Sequence, residues 1–338
     1  MPESLPHQRP EPVVVGPGSP EKKQKVKETI LGRFGEKHYD QLPEDKRKVV
    51  EALEYLPKRP IDQSAIEQSN NITNQLLSGA GLTPFDIPER NVHIIPEKLF
   101  LEMERDPKTN GTTFFDTQAI VLNADKLINP FQRSSTILHE IAHLKGFLKL
   151  QVEEASWSQR RTGLTIGAVG KKEKTLGYFK AFKGLDEAVV EEIVKRYLPR
   201  VLEGNPFLNE EYVWQISEEA QNVKTRVAAE NGIDPAEIFW VSKDGKDFES
   251  FAYPSVRKTL YYLAETIQTD NPDRFPSQDE VIDQFIQAHF NGRILNLAHL
   301  VEGSFGKDSF RILSLMRGTE SGSAYQVHDY LRKQRRLR

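Results

Sequence analysis

The chain of 338 residues predicts an α+β fold, a small mixed sheet and one apolar helix followed by a mostly helical lobe. Three observations predict it. Short β-branched runs occur at 91–96, 112–123, 162–169 and 176–182; an apolar, proline-free helical segment follows the second of them; and beyond residue 186 apolar residues recur at three and four positions.

Taken in order, residues 1–24 hold six prolines and two glycines around one valine run, the composition of a disordered leader. From 25 to about 56 the spacing is helical, with Val26, Ile30 and Phe34 and later Val49, Val50 and Leu53, punctuated by Pro57 and Pro60. A second amphipathic helix over 63–77 ends at Gly79-Ala80-Gly81. Two strands follow, 91–96 and 112–123, the latter after an Asn110-Gly111 turn signal. The next helix opens with Asn129 as its cap and Pro130 in its first turn. A hairpin is expected from 162–169 and 176–182 around Gly170-Lys171-Lys172-Glu173-Lys174, then a helix over 186–198 ended by Pro199. The remainder reads as helices at 218–231, 254–268, 279–290, 294–301 and 325–335. The expected organisation is therefore a leader (1–24), an N-terminal lobe (25–150) and a mainly helical C-terminal lobe (151–338).

Composition excludes several chemistries. Charged residues make up 28% and the net charge is −3, so neither nucleic acid nor an anionic membrane is an expected partner. The basic tail from Arg332 to Arg338 reads as a solvated helix end. No cysteine is present, so any metal must rest on His, Asp or Glu. The N-terminus lacks an apolar export segment and no apolar run reaches membrane-spanning length, which places the protein in the cytoplasm as an expectation. Neither a phosphate loop nor a Gly-x-Gly-x-x-Gly turn is present. Nothing in the sequence speaks to oligomeric state.

Chemistry concentrates in His139-Glu140-Ile141-Ala142-His143. On a helix the two histidines stack on one face, and the glutamate lies about 100° round from the first. Two imidazoles then share one metal ion, with a carboxylate beside it. A catalytic zinc usually takes a third protein ligand. Gly146 stands where a metzincin glycine would, but Lys149 occupies the next ligand position and an ammonium binds no metal. Downstream, Glu187 and Glu191 share a helix stripe with Val194 and Leu198. A carboxylate on an apolar stripe needs a partner, so Glu187 is the candidate third ligand and Glu191 the candidate acceptor for a ligating imidazole. The alternative is that both are solvated helix glutamates. His93 reads as packed in its strand, and His7, His38, His299 and His328 lack any partner spacing.

The pairing of His139-Glu140-Ile-Ala-His143 with Asp186-Glu187-Ala-Val-Val-Glu191 resembles the gluzincin metallopeptidases, whose third ligand sits in Asn-Glu-Ala-x-x-Asp or a close variant. Asp186 replaces the usual Asn and Glu191 the usual Asp. The resemblance implies a zincin-like fold, a zinc cofactor and a peptide or protein substrate, which would lie along an edge strand expected at 117–123. It implies peptide hydrolysis by metal-activated water, with Glu140 as general base and later as proton donor to the amine. An oxyanion donor is expected from the C-terminal lobe: Tyr253 first, at a helix start, with Arg257 and His289 as the other candidates. Two further readings stay open, a zinc hydrolase of non-peptide amides and a non-catalytic protein of the same fold.

Overall fold

The computed structural model describes residues 9–32, 44, 48, 51, 58–103, 107–115, 117–154, 156–172, 175–318 and 321–337. Strand β1 (Val13–Val15) pairs in parallel with β5 (Leu148–Val152), and α1 (Pro20–Gly32) lays Val26 and Ile30 on the same cluster. From residue 9 onward the expected disordered leader is therefore built into the fold. The physical reason is local. The Arg9 guanidinium donates to Leu144 O (2.7 Å) and Gly146 O at the end of the histidine helix, where carbonyls lack helical partners. Residues 1–8, and most of the helix expected over 25–56, lie outside the described residues.

Helix α2 (Pro60–Gly79) starts on Pro60 and buries Ala65, Ile66 and Leu77 against the main core. Next come β2 (Val92–Ile95), α3 (Glu97–Met103), β3 (Gly111–Phe114) and β4 (Ala119–Asn123). The single strand expected over 112–123 is thus two strands, joined by a turn in which Gln118 takes a left-handed φ of 53°. The sheet order is β2-β4-β3, with β2 parallel and β3 antiparallel to β4. This corrects the expected edge strand at 117–123: β4 is central and buried along its whole length, as its continuous Ala-Ile-Val-Leu run demands, and β3 takes the outer place.

Helix α4 (Pro130–Lys145) carries the paired histidines, and Asn129 Oδ1 caps it by accepting Phe131 N at 2.9 Å. A second sheet follows, ordered β1-β5-β6-β7-β8, with β6 (Trp157–Thr162), β7 (Thr165–Lys172) and β8 (Thr175–Ala181). The β7/β8 hairpin matches the sequence expectation; β5 and β6 do not appear in it. The lobe boundary expected at residue 150 falls inside β5, which pairs on both sides.

Helix α5 (Lys183–Glu203) runs through Pro199 instead of stopping there. Val201 and Leu202 beyond it are buried with Ile72, Phe131 and Leu208, and that packing outweighs one missing ladder bond. The rest comprises α6 (Asn209–Gln215), α7 (Glu218–Asn231), an antiparallel pair β9 (Ile238–Val241) and β10 (Phe248–Ser250), and helices α8 (Pro254–Asp270), α9 (Gln278–Asn291), α10 (Ile294–Phe305), α11 (Ser309–Leu313) and α12 (Ser321–Arg336). The chain is mixed α+β, and one core joins α2, α4, α5, α8 and α9 to β4. No described helix is long and apolar enough to cross a membrane.

Candidate metal centre

Helical spacing puts His139 and His143 on one face of α4, and α5 packs against that face with Glu187. Their ligand atoms form a small triangle. His139 Nε2 and His143 Nε2 are 3.1 Å apart, and Glu187 Oε2 lies 3.4 Å and 3.2 Å from them. Metal–ligand bonds of about 2.0–2.1 Å in a tetrahedron require edges of about 3.3–3.4 Å, so the triangle has the size of one face of such a site. These three buried or half-buried residues form a group that could hold a metal ion.

The other ring nitrogens face carboxylates. His139 Nδ1 is 2.9 Å from Glu191 Oε2, while Glu191 Oε1 accepts Ala252 N at 2.7 Å. His143 Nδ1 lies 3.6 Å from Asp186 Oδ2. Asp186 is itself fixed by Leu164 N (2.7 Å), Thr165 Oγ1 (3.2 Å) and His289 Nδ1 (2.8 Å). An acceptor at His139 Nδ1 and the Asp186 charge near His143 Nδ1 leave both Nε2 atoms for the shared space, as in metal-binding imidazoles. Burial opposes charge on His139, but bonds to Glu187 and Glu191 outweigh it and hold its pKa well above the usual histidine value. Burial would likewise raise Glu187, yet the charge on His143 and bonds from both imidazoles hold it well below the carboxylate range. The donor set is thus one anion and two imidazoles whose protons a divalent cation can replace.

Glu140 points from α4 to the outer strand. Its Oε2 accepts Thr113 Oγ1 at 2.7 Å. That bond requires β3 to lie flat on α4, and Gly111 permits it: a Cβ there would meet Thr136 Cγ2 at 2.7 Å and Glu140 Cγ at 3.1 Å. A 310 Å³ cleft opens beside His139 and Glu140, between Gly111 on one wall and Glu249 and Tyr253 on the other. Tyr253 caps α8 with a left-handed φ of 55°, a strained conformation for a bulky residue. Its ring stacks on His139 at 6.0 Å between centroids. The charge of Glu187, then burial, push its phenol far above the tyrosine range, so it keeps its proton.

The structure therefore brings His139, Glu140, His143, Glu187, Glu191 and Tyr253 together, and separates the other two oxyanion candidates from the cleft. Arg257 is 1% exposed, pairs with Glu237 and donates to Ala252 O at 2.9 Å, which fixes the corner before Tyr253. His289 is fully buried between Asp186 and Ala142 O. His93 is buried in β2, as its strand pattern predicts. Sequence reasoning missed Asp186, Thr113 and Gly111 as parts of the site. Asp186 had a signal, standing next to Glu187. Thr113 had none, because its role depends on which strand lies outermost. Comparison of the chain with protein-family models, with curated proteins and with solved structures returns no match.

Proposed function

We propose that this chain is a zinc-dependent peptidase of zincin type, with His139, His143 and Glu187 as metal ligands and Glu140 as general base. The observation that carries the reading is the Nε2, Nε2, Oε2 triangle with edges of 3.1, 3.2 and 3.4 Å. It matches a face of a zinc tetrahedron and leaves a corner for a reactant, as catalytic rather than structural zinc requires. A zinc ion held there would supply Lewis acidity, acidifying water and polarising a carbonyl oxygen.

The remaining work falls to side chains and backbone. Glu140, steadied by Thr113, takes a proton from water and returns it to the departing amine. Tyr253, kept protonated by the carboxylates around it, donates a hydrogen bond to the oxygen on which charge develops. Glu191 holds the His139 ring in the ligating orientation by a hydrogen bond, and Asp186, 3.6 Å from His143 Nδ1, acts on that ring through its charge. Strand β3, outermost in its sheet and bordering the cleft, is the backbone along which an extended peptide would lie.

Metal analysis of the purified protein and of Glu140→Gln, with cleavage of a denatured protein substrate, tests the reading. Equimolar zinc in both proteins and cleavage by the parent alone is the expected result. An intact fold without zinc removes the reading. Zinc without cleavage by the parent makes the centre non-catalytic for peptides, and equal cleavage by the variant removes the role of Glu140.

A further inference from the structure

Strand β3 borders a second cavity beyond the metal cleft. Thr112, Thr113, Phe114 and Phe115 form one wall of a 260 Å³ cavity whose other wall includes Arg161, Thr165 and Lys180. It adjoins the metal centre through two of its own residues: Thr113 Oγ1 bonds Glu140 Oε2, and Thr165 Oγ1 bonds Asp186 Oδ2.

The lining has one sign. Two cationic residues and four threonines line it, and among the described residues no Asp or Glu does. Arg161 is 8% exposed and rigidly held, with Nε donating to Gly163 O (2.9 Å), Nη1 to Gly292 O (2.7 Å) and the guanidinium over the Phe147 ring at 4.9 Å. Its Nη2 is buried with no hydrogen-bond partner among the described residues. Burial pulls the Arg161 pKa down to about 10, which still leaves it charged at neutral pH. The acid that acts on it, Asp186, is committed to His289, Leu164 and Thr165. A buried guanidinium held by carbonyls, with a donor left over, is costly unless an anion comes to it. The unpartnered Nη2 suits a carboxylate oxygen, which would accept a charge-assisted hydrogen bond from it.

We infer that this cavity binds a carboxylate of the substrate peptide lying along β3, with Arg161 as the principal residue and Lys180 assisting. The inference rests on the peptidase reading and sharpens it: the preferred substrate carries an anionic group on the Phe114 side of the metal centre, either its own C-terminus or an acidic side chain.

The test measures binding of fluorescent extended peptides to zinc-loaded Glu140→Gln by anisotropy, with and without Arg161→Lys or Lys180→Glu. The peptides pair a free or amidated C-terminus with Glu or Gln within the sequence. A carboxylate-bearing peptide should bind about tenfold tighter than its neutral counterpart, the worth of one charged hydrogen bond. Loss of preference on amidation identifies the chain end; loss on Glu to Gln exchange identifies the side chain. Each variant should shrink the preference. Lys180→Glu lies on an exposed side chain and remains informative if Arg161→Lys does not fold. Neutral and acidic peptides binding within about twofold of each other, or a preference unchanged in both variants, overturns the inference. Binding is read without turnover, so its outcome is separate from the peptidase reading, which fails if the zinc-loaded parent cleaves none of these peptides.

Discussion

On the wall of the cleft made by α4 and α5, both oxygens of Glu191 and both of Asp186 already hold partners, and Glu140 is tied to Thr113. The facing wall and the neighbouring cavity are built differently. Glu249 stands half-buried in the cleft, its carboxyl pushed up to about 7 by burial and by Asp247, and Arg161 keeps a donor without a partner among the described residues. The contrast separates two tasks. On the proposed reading, a metal centre is rigid before its ion arrives, so its acids are bonded in advance, whereas a surface that reads substrate keeps polar groups uncommitted.

The largest expected effect lies on the committed wall. Glu140→Gln should lower kcat by about 10²–10⁴-fold while melting temperature and metal content stay near those of the parent. A loss of stability as large as the loss of rate would make Glu140 a structural residue. Tyr253→Phe removes only the hydroxyl, and should reduce kcat by about 10²-fold with little change in KM, the signature of a donor used in the transition state. If KM rises instead and kcat holds, Tyr253 belongs to the recognising wall.

Glu191→Gln leaves a hydrogen-bond acceptor beside His139 but removes the charge. Zinc affinity should fall about 10–100-fold, read by competition with a chromogenic chelator, and Asp186→Asn should behave similarly through His143. Unchanged affinity in both would show that the imidazoles need no orientation from α5.

The smallest effect is on the facing wall. Folding raises the Glu249 pKa to about 7, above its ordinary value of 4.5, so the folded state holds the proton longer than the unfolded one. Relative to a charged glutamate, that stabilisation is complete below about 4.5 and is lost as pH rises through about 7. Glu249→Gln should therefore make unfolding free energy flatter across that window, by less than about 1 kcal/mol because the group is partly solvated. A slope identical to the parent's would remove Glu249 from the titration.

How far sequence carried each wall follows from how it is assembled. His139, Glu140 and His143 lie within five consecutive residues and Glu187 and Glu191 within another five, so helical spacing alone put each set on one face. Asn129 and Pro130 announced the start of α4 by side-chain chemistry, and the structure places the cap there. The outer strand was misread because the β-forming residues on either side of Asp116-Thr117-Gln118 carried the strand across a turn signal of one Asp. The break at Gln118 is a backbone event with no glycine to mark it. Leu148-Lys149-Leu150-Gln151-Val152 alternates apolar and polar residues, the pattern of a half-buried strand, so β5 was legible in the sequence although the expected strands do not include it. Arg161 and Thr113 come from different sheets, and only their packing brings them to one cavity.

The central claim is that one metal ion sits where His139, His143 and Glu187 converge. Anomalous diffraction at the zinc edge from crystals of the zinc-loaded chain tests it most directly. The account predicts one strong peak within about 2.0–2.2 Å of both Nε2 atoms and of a Glu187 carboxylate oxygen. A peak elsewhere, or none at this triangle under saturating zinc, contradicts it.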